Sequence, residues 1–261
     1  MGYVTESVRA TWLVFRMHLA TIAGSRRTLA GIVLAAIPPL LATLAARFAP
    51  SDATGGEIFA ALGVLLLVQF VVPMLGVSLG VGAIADEAES RTITYPFTRP
   101  IPRASFFLGR WFATLVNVLG LIAASGIGLA IASSMRASPP DSEMVRSVLG
   151  AALLGGTIYS LGAAVIGILA RRGLIIALGY AFAIEGLLAN VPGSTQKMTV
   201  QYHLRSIFVE KDVDPWQSMD IFELSSFLPP TEALVRMAVV GALLLAFGTW
   251  AVTRKQFVLA S

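Results

Sequence analysis

The sequence predicts an all-α integral membrane protein with six transmembrane helices and an amphipathic helix at its N-terminus. Of the 261 residues, 56% are hydrophobic and only 13% are charged, and the mean hydropathy is +0.78. A soluble domain of this size could not bury so much apolar surface within itself. Long apolar stretches place that surface in lipid, where a helix satisfies its own backbone hydrogen bonds.

Residues 1–28 predict a cytoplasmic helix that lies in the membrane interface. Apolar side chains recur at steps of three and four residues, whereas Arg9 and Arg16 lie off that stripe. The stripe consists of Val4, Val8, Trp12, Phe15, Leu19 and Ile22. The arginines would meet lipid phosphates, with Trp12 and Phe15 at headgroup depth. Two roles stay open, a simple anchor and a surface that also contacts a partner. Because basic residues interrupt the apolar run, we expect no cleaved signal peptide.

A single transmembrane domain over residues 29–252 follows. A bilayer core about 30 Å thick needs roughly 20 apolar residues at 1.5 Å each, and six stretches meet that length. They are Leu29–Phe48, Ile58–Ile84, Phe107–Ser133, Val145–Ala170, Gly173–Val191 and Ala233–Val252. Arg171 and Arg172 separate the fourth from the fifth, and the two together are too long for one crossing. Residues 192–231 form the predicted outer loop, and residues 253–261 form a cytoplasmic tail.

The distribution of charge predicts the orientation. Twelve of the 19 lysines and arginines fall on the side of the termini, and ten of the 15 acidic residues fall on the other. Since cytoplasmic loops are enriched in basic residues, both termini are expected in the cytoplasm. The membrane itself is expected to be the inner membrane of a bacterium. The net charge of +4 is scattered between the spans rather than gathered in a patch. No nucleic-acid partner is therefore expected.

Few residues suit catalysis or metal binding. Cysteine is absent, and the two histidines, His18 and His203, lie in widely separated segments. We therefore expect no metal site and no catalytic residue. The run Gly76–Gly80 matches the G-x-S-x-G pattern of a nucleophile elbow, but it lies inside an apolar span, so we interpret its glycines as helix-packing positions. The same interpretation applies to Gly155, Gly156, Gly162 and Gly167.

Glu185 is the one carboxylate deep within a predicted span. A charge at that depth costs several kcal/mol unless it is paired, protonated or hydrated. Glu185 is therefore a candidate residue of a translocation path or gate. The structural alternatives are a hydrogen bond to a neighbouring helix and a position nearer the outer edge.

The cytoplasmic loop at about residues 85–105 carries the most informative pattern. Three acids stand close together where the chain leaves the membrane, and arginines follow them, which suits docking onto a soluble protein. A solvated loop that only obeys the positive-inside rule would not require the acids. Ser105 is the expected N-cap of the next helix.

This loop resembles that of ABC-2 type permeases, the membrane subunits of one class of ATP-binding-cassette transporter. In that family an acidic pair, a Ser-Gly-Thr-like turn and a hydrophobic stretch precede Arg-Pro-x-Ser-Arg and a Gly-Lys or Gly-Arg pair. The positions in step are Asp86, Glu87, Glu89, Ser90, Thr92, Arg99, Pro100, Arg103, Gly109 and Arg110. Arg91, Pro96 and Pro102 depart from the pattern, and Pro96 would interrupt a local helix. The predicted topology is similar to that family as well.

The resemblance implies an exporter permease that pairs with a second copy or a paralogue and binds two cytoplasmic ATPase subunits. The implied ATPase-coupling residues are Asp86, Glu87, Glu89, Arg91, Thr92, Arg99, Pro100 and Arg103. The sequence has no G-x-x-x-x-G-K-[ST] phosphate loop, so ATP and Mg²⁺ are expected in the partner and no cofactor in this chain. The alternative is a non-transporting scaffold subunit of an envelope complex. The substrate, and any periplasmic accessory protein at residues 192–231, are left open.

Overall fold

The computed structural model describes residues 2–50, 52–89, 102–170, 172–188, 194–208 and 228–254, and within these ranges it contains helices and no strand. Among the described residues, five helical segments are long and apolar enough to cross a membrane. They are Arg26–Phe48, Gly55–Ile84, Arg103–Ser133, Ser142–Leu169 and Pro230–Arg254. The predicted all-α membrane fold agrees with this. At the place of the predicted fifth span, the described residues form a shorter apolar helix, Gly173–Leu188, below the roughly 20 residues of a full crossing, and residues 189–191 of that predicted span lie outside the described residues.

The described residues form the following α-helices. In chain order they are α1 (Gly2–Ala23), α2 (Arg26–Phe48), α3 (Gly55–Leu62), α4 (Val72–Glu89), α5 (Arg103–Ser133), α6 (Ser142–Leu169), α7 (Gly173–Leu178), α8 (Gly186–Leu188), α9 (Val200–Phe208) and α10 (Pro230–Arg254). Two π-helical segments interrupt this regular pattern. The first π segment (Gly63–Val71) joins α3 to α4, and the second π segment (Gly179–Glu185) joins α7 to α8. Such wider turns are rare and are often found at functional sites.

Helices α1 and α2 lie end to end along α5, and all three run in the same direction. The Ser105 hydroxyl donates to the Ser7 carbonyl at 3.2 Å, and further along α5 the Asn117 amide donates to Thr28 Oγ1 at 2.7 Å. The prediction that Ser105 caps α5 is wrong, because the helix begins at Arg103. The ring of Pro102 already fixes an extended backbone just before the helix. Ser105 is therefore not needed as a cap, and its side chain contacts α1.

Helix α1 contacts α5 through a face that differs from the predicted apolar stripe. The contacting residues are Ser7, Thr11, Val14 and His18. Within the stripe, Val8 and Trp12 are 64% and 56% exposed, and the Trp12 and Phe15 rings stack with their centroids 5.2 Å apart. The part of the stripe around Val8 and Trp12 is therefore turned away from the bundle, whereas its C-terminal end joins the core, in which Ile22 is buried and against which Leu19 packs.

Helices α4 and α6 approach each other at glycines. A Cβ atom at Gly80 would lie 2.5 Å from the Ser160 carbonyl oxygen, and one at Gly76 would lie 2.7 Å from Tyr159 Cβ. The prediction that these glycines are packing positions is thus confirmed, and the G-x-S-x-G run is part of a helix interface. Gly155 and Gly167 are packed closely in the same way, against Leu204 and the Val81 carbonyl.

The two ends of the bundle are named for the arginines that flank α5, the Arg103 end and the Arg136 end. At the Arg103 end, the Arg103 guanidinium donates to the Thr253 carbonyl in the last turn of α10 at 3.5 Å. At the opposite end, Arg136 donates to carbonyls that close α2 and lead into α3. Its acceptors are Ala46 and Ala49 at 3.0 Å, Ala53 at 3.1 Å, and Pro50. Arg136 thereby satisfies carbonyls that α2 leaves without a helical partner.

Candidate functional site

A buried carboxylate lies at the junction of three helical elements. Glu185 is the last residue of the second π segment and is 1% exposed. It accepts a hydrogen bond from the Tyr159 hydroxyl on α6 and one from the Val200 backbone N–H at 3.3 Å. Val200 is the first residue of α9, so the carboxylate lies where the peptide dipoles of that helix favour a negative charge. Glu185 therefore joins α6, the second π segment and α9.

The Glu185–Tyr159 contact lies well inside the bundle. Tyr159 is ten residues before the end of α6 at Leu169 and 17 after its start at Ser142, which is roughly 15 Å and 26 Å along the helix axis. Neither a tyrosine nor a glutamate side chain is long enough to span either distance and reach an end of α6. Glu185 therefore lies away from both ends of α6, and its hydrogen bond to a neighbouring helix is observed.

Helix α9 falls within the predicted outer loop, yet it packs among the long helices. The Gln201 amide donates to the Val68 carbonyl in the first π segment at 3.3 Å, and Arg205 donates to Gln69 Oε1 at 3.1 Å. Both Gln201 and Arg205 are buried. Residues 200–208 are therefore part of the bundle interior, while residues 209–227 of the same loop lie outside the described residues.

A half-open cavity of about 250 Å³ lies between the two π segments. Its lining residues are Leu65, Gln69, Phe70, Ala181, Phe182, Gly186 and Gln201. The rings of Phe70 and Phe182 meet with their centroids 5.6 Å apart and tilted by 56°. The walls are apolar apart from the two glutamine amides, which is the usual composition of a pocket for a small molecule.

The predicted ATPase-coupling residues divide between described and undescribed parts of the chain. Asp86, Glu87 and Glu89 lie on the final turns of α4, which continues past the predicted span end at Ile84 to Glu89. Arg103 opens α5. Four further residues lie outside the described residues, namely Arg91, Thr92, Arg99 and Pro100. The acids thus stand on one continuous helix that leads back to the first π segment.

A second polar contact that the sequence did not indicate lies between α1 and α5. His18 Nε2 is 3.2 Å from Thr114 Oγ1. Burial, with a smaller effect of the nearby Arg110 cation, lowers the pKa of His18 to about 3. Arg110 itself is buried, donates to the Ala83 carbonyl of α4, and lies 5.4 Å from the centroid of the Phe106 ring. At neutral pH a neutral His18 and a charged Arg110 therefore share this interface.

Tyr159, Gln201 and Arg205 were also missed as site residues. The only signal in the sequence that could have indicated these residues is a polar side chain inside an apolar run, as at Gln69 and Tyr159. In the ranges that the structure describes, no group of three or more His, Cys, Asp or Glu residues could hold a metal ion. No protein-family model matches the chain, and no curated protein matches it significantly.

Proposed function

We propose that the chain is the permease subunit of an ATP-binding-cassette exporter, driven by separate cytoplasmic ATPase subunits. The observation that supports this best is the buried Glu185, which joins three helical elements beside a cavity within a bundle of membrane-length helices. Ionisable groups at such depth are costly, and in membrane proteins they mark pathways and gates. In this proposal Glu185 controls the translocation path.

The proposed topology has six crossings, with Gly173–Leu188 as the shorter fifth. Helices α6 and α10 run in the same direction, since Gly241 packs on Ile158 and Gly248 on Val165. Two neighbouring spans of equal direction need a return crossing between them, and Gly173–Leu188 is the apolar helix in that interval. Helix α9 then occupies the part of the membrane thickness that this short crossing does not span. Both termini would lie in the cytoplasm, at the Arg103 end, in a bacterial inner membrane.

In this proposal α1 runs alongside the first turns of α5 at the cytoplasmic end of the bundle, and its free face meets the membrane interface. Its free face carries the stacked Trp12 and Phe15 beside the exposed Arg9 and Arg16, a combination that suits anionic headgroups. Its other face contacts α5, as the bond between Ser105 and Ser7 shows. Movement of α1 relative to the lipid would therefore be transmitted to α5.

Two ATPase subunits would bind the loop at about residues 85–105 in this permease and in its partner, a second copy or a paralogue. Asp86, Glu87 and Glu89 would contact basic groups of the ATPase, while Arg91, Arg99 and Arg103 would pair with its acids or with anionic lipid. ATP and Mg²⁺ would bind in those subunits. Because α4 continues from the acids to the first π segment without a break, a push on the loop would reach the cavity and shift packed helices as rigid bodies.

Charge removal in the loop tests this assignment. We expect the triple change of Asp86, Glu87 and Glu89 to alanine to leave the bundle folded but to separate ATP hydrolysis from transport in the isolated complex. The matched control is Asp52→Ala with Glu143→Ala, which removes exposed acids at the Arg136 end and should leave both rates unchanged. Normal hydrolysis and normal transport in the triple variant would show that the docking assignment is wrong.

A further inference from the structure

We propose that α9 is a retractable plug, which fills a polar passage between α6 and the two π segments and leaves it as a unit. Helix α9 has nine residues, and seven of them are buried. Its Leu204 side chain rests on Gly155 of α6, where a Cβ atom would lie 2.7 Å from Leu204 Cδ1. The glycine thus forms a groove in α6, and α9 lies in that groove.

The composition of α9 favours withdrawal into water. Four of its buried side chains are polar, namely Gln201, His203, Arg205 and Ser206, whereas a helix that stays in the membrane interior is expected to be apolar. Polar side chains recover their hydration in water, so α9 loses less on leaving than an apolar helix of equal length would. The Gln201 Oε1 atom is buried without a hydrogen-bond partner among the described residues, and withdrawal returns it to water. Opening of this segment therefore costs less than unfolding of the bundle.

One wall of the passage carries a backbone acceptor that its own helix does not satisfy. In the wider register of the first π segment, the Val72 N–H donates to the Leu67 carbonyl. The next residue is Pro73, which has no N–H, so the Val68 carbonyl lacks a donor in that register. The Gln201 amide of α9 supplies the donor at 3.3 Å. A side chain of α9 thus completes the hydrogen bonding of this wall.

The other polar groups of the walls also have their partners on α9. Gln69 of the first π segment accepts a hydrogen bond from Arg205 at 3.1 Å. Glu185 of the second π segment accepts one from the Val200 N–H at 3.3 Å. Polar groups inside a membrane are costly unless they are paired or hydrated. Helix α9 therefore takes the place that water or a polar solute occupies once the plug is withdrawn.

The contacts at Glu185 and Val68 are the latch of this plug. Val200 belongs to the first turn of α9, whose backbone donors have no partner within the helix and whose peptide dipoles favour a carboxylate. Tyr159 in turn anchors Glu185 to α6. Breaking the bonds of Val200 and Gln201 thus frees the first turn of α9. As the route of a transported molecule, this inference rests on the proposed function, whereas the withdrawal of α9 does not.

The test measures how fast a cationic methanethiosulfonate reagent modifies single cysteines in the full chain, reconstituted in nanodiscs without ATPase subunits. The sequence contains no cysteine, so an introduced one reports without background. Ser206→Cys on α9 is the reporter, and Ser125→Cys on α5 is the matched control, because both serines are 1% exposed and cysteine is close to serine in size. Leu204→Cys, at a position with no exposure, is a second reporter on α9.

We expect both α9 reporters to react at least about tenfold faster than Ser125→Cys, because withdrawal of α9 exposes them while the rest of the bundle stays folded. Gln201→Met removes the donor to the Val68 carbonyl. This change should accelerate the α9 reporters about three- to tenfold further, the range expected for one hydrogen bond, and Glu185→Ala should accelerate them at least as much. Neither change should alter the rate at Ser125→Cys.

Two results would overturn the inference. Reporters on α9 that react as slowly as Ser125→Cys in every background would show that α9 is a permanent part of the bundle. Equal acceleration of the reporters and the control would show that the latch variants loosen the whole fold. Neither result bears on whether the chain associates with ATPase subunits, so a failure here is distinguishable from a failure of the proposed function.

Discussion

The Tyr159 hydroxyl donates a hydrogen bond to the Glu185 carboxylate, which connects α6 to the second π segment in the interior of the bundle. The same carboxylate accepts the N–H of Val200. The position of α9 is thus coupled to that of α6 through one side chain. This coupling makes Glu185 important for stability as well as for the proposed gate.

Replacing members of this contact should reduce stability in a graded order. We expect Tyr159→Phe to cost about 1–2 kcal/mol, because a buried carboxylate loses one of its donors. Glu185→Ala should cost more, since it leaves the Tyr159 hydroxyl and the Val200 N–H without their acceptor, whereas Glu185→Gln should cost less than Glu185→Ala. Denaturant unfolding in detergent measures the three values. Equal stability of Glu185→Ala and wild type would contradict the observed role.

Arg136 should stabilise the Arg136 end of the bundle. Arg136→Ala removes a guanidinium that donates to four carbonyl groups, and we expect a loss of roughly 2–3 kcal/mol. Arg136→Lys should recover only a small part, because an ammonium lacks the planar fork of donors. Arg146 provides the control, since it is exposed and donates to Ser142 of its own helix, so Arg146→Ala should remain within about 0.5 kcal/mol of wild type. Similar values for the two alanine variants would refute this account.

Gly80 should not tolerate a side chain. A Cβ atom there would lie 2.5 Å from the Ser160 carbonyl oxygen, and backbone cannot yield as a flexible side chain can. Gly80→Ala should therefore destabilise the chain by about 1–3 kcal/mol. Gly120 is a helical glycine with no atom near its Cβ position, and Gly120→Ala should be neutral or stabilising by up to about 1 kcal/mol. Thermal unfolding of the purified variants compares them, and a stable Gly80→Ala would disprove close contact of α4 with α6.

Acidification should weaken the contact between α1 and α5 through His18. Its pKa is about 3 when folded, against about 6.5 in an unfolded chain. Between these values the unfolded state binds more protons, so this contribution to stability is complete above about pH 6.5 and declines as the pH falls toward 3. Wild type should therefore lose more Tm than His18→Asn between pH 7.5 and pH 5. Parallel pH profiles of the two proteins would show that His18 does not contribute.

The long helices were predictable because composition and length alone determine them. The predicted first span, Leu29–Phe48, and the observed Arg26–Phe48 share their end, since lipid requires an apolar stretch whatever its neighbours are. The contact face of α1 was not predictable in this way. Hydrophobic periodicity indicated the stripe that contains Val8 and Trp12, whereas α5 is contacted through Ser7 and His18, where small size and hydrogen bonding matter more than hydrophobicity.

The candidate site was predictable only in part. Glu185 was identifiable because a carboxylate inside an apolar span is costly in lipid, and its position in the sequence is enough to recognise that cost. Its partners Tyr159 and Val200 are 26 and 15 residues away in the chain, and only tertiary packing brings them together. Helix α9 was assigned to an outer loop because its polar residues, such as Gln201 and Arg205, resemble a surface segment. In the fold those groups bond to the Val68 carbonyl and to Gln69.

Purification of the tagged chain from its native membrane in mild detergent tests the central proposal most directly, when the subunits that accompany it are identified and ATP hydrolysis is assayed. The permease proposal predicts a stoichiometric partner that carries a phosphate-loop motif, with hydrolysis that vanadate inhibits. A chain recovered alone, or only with partners that do not hydrolyse ATP, would contradict the proposal and favour a scaffold subunit instead.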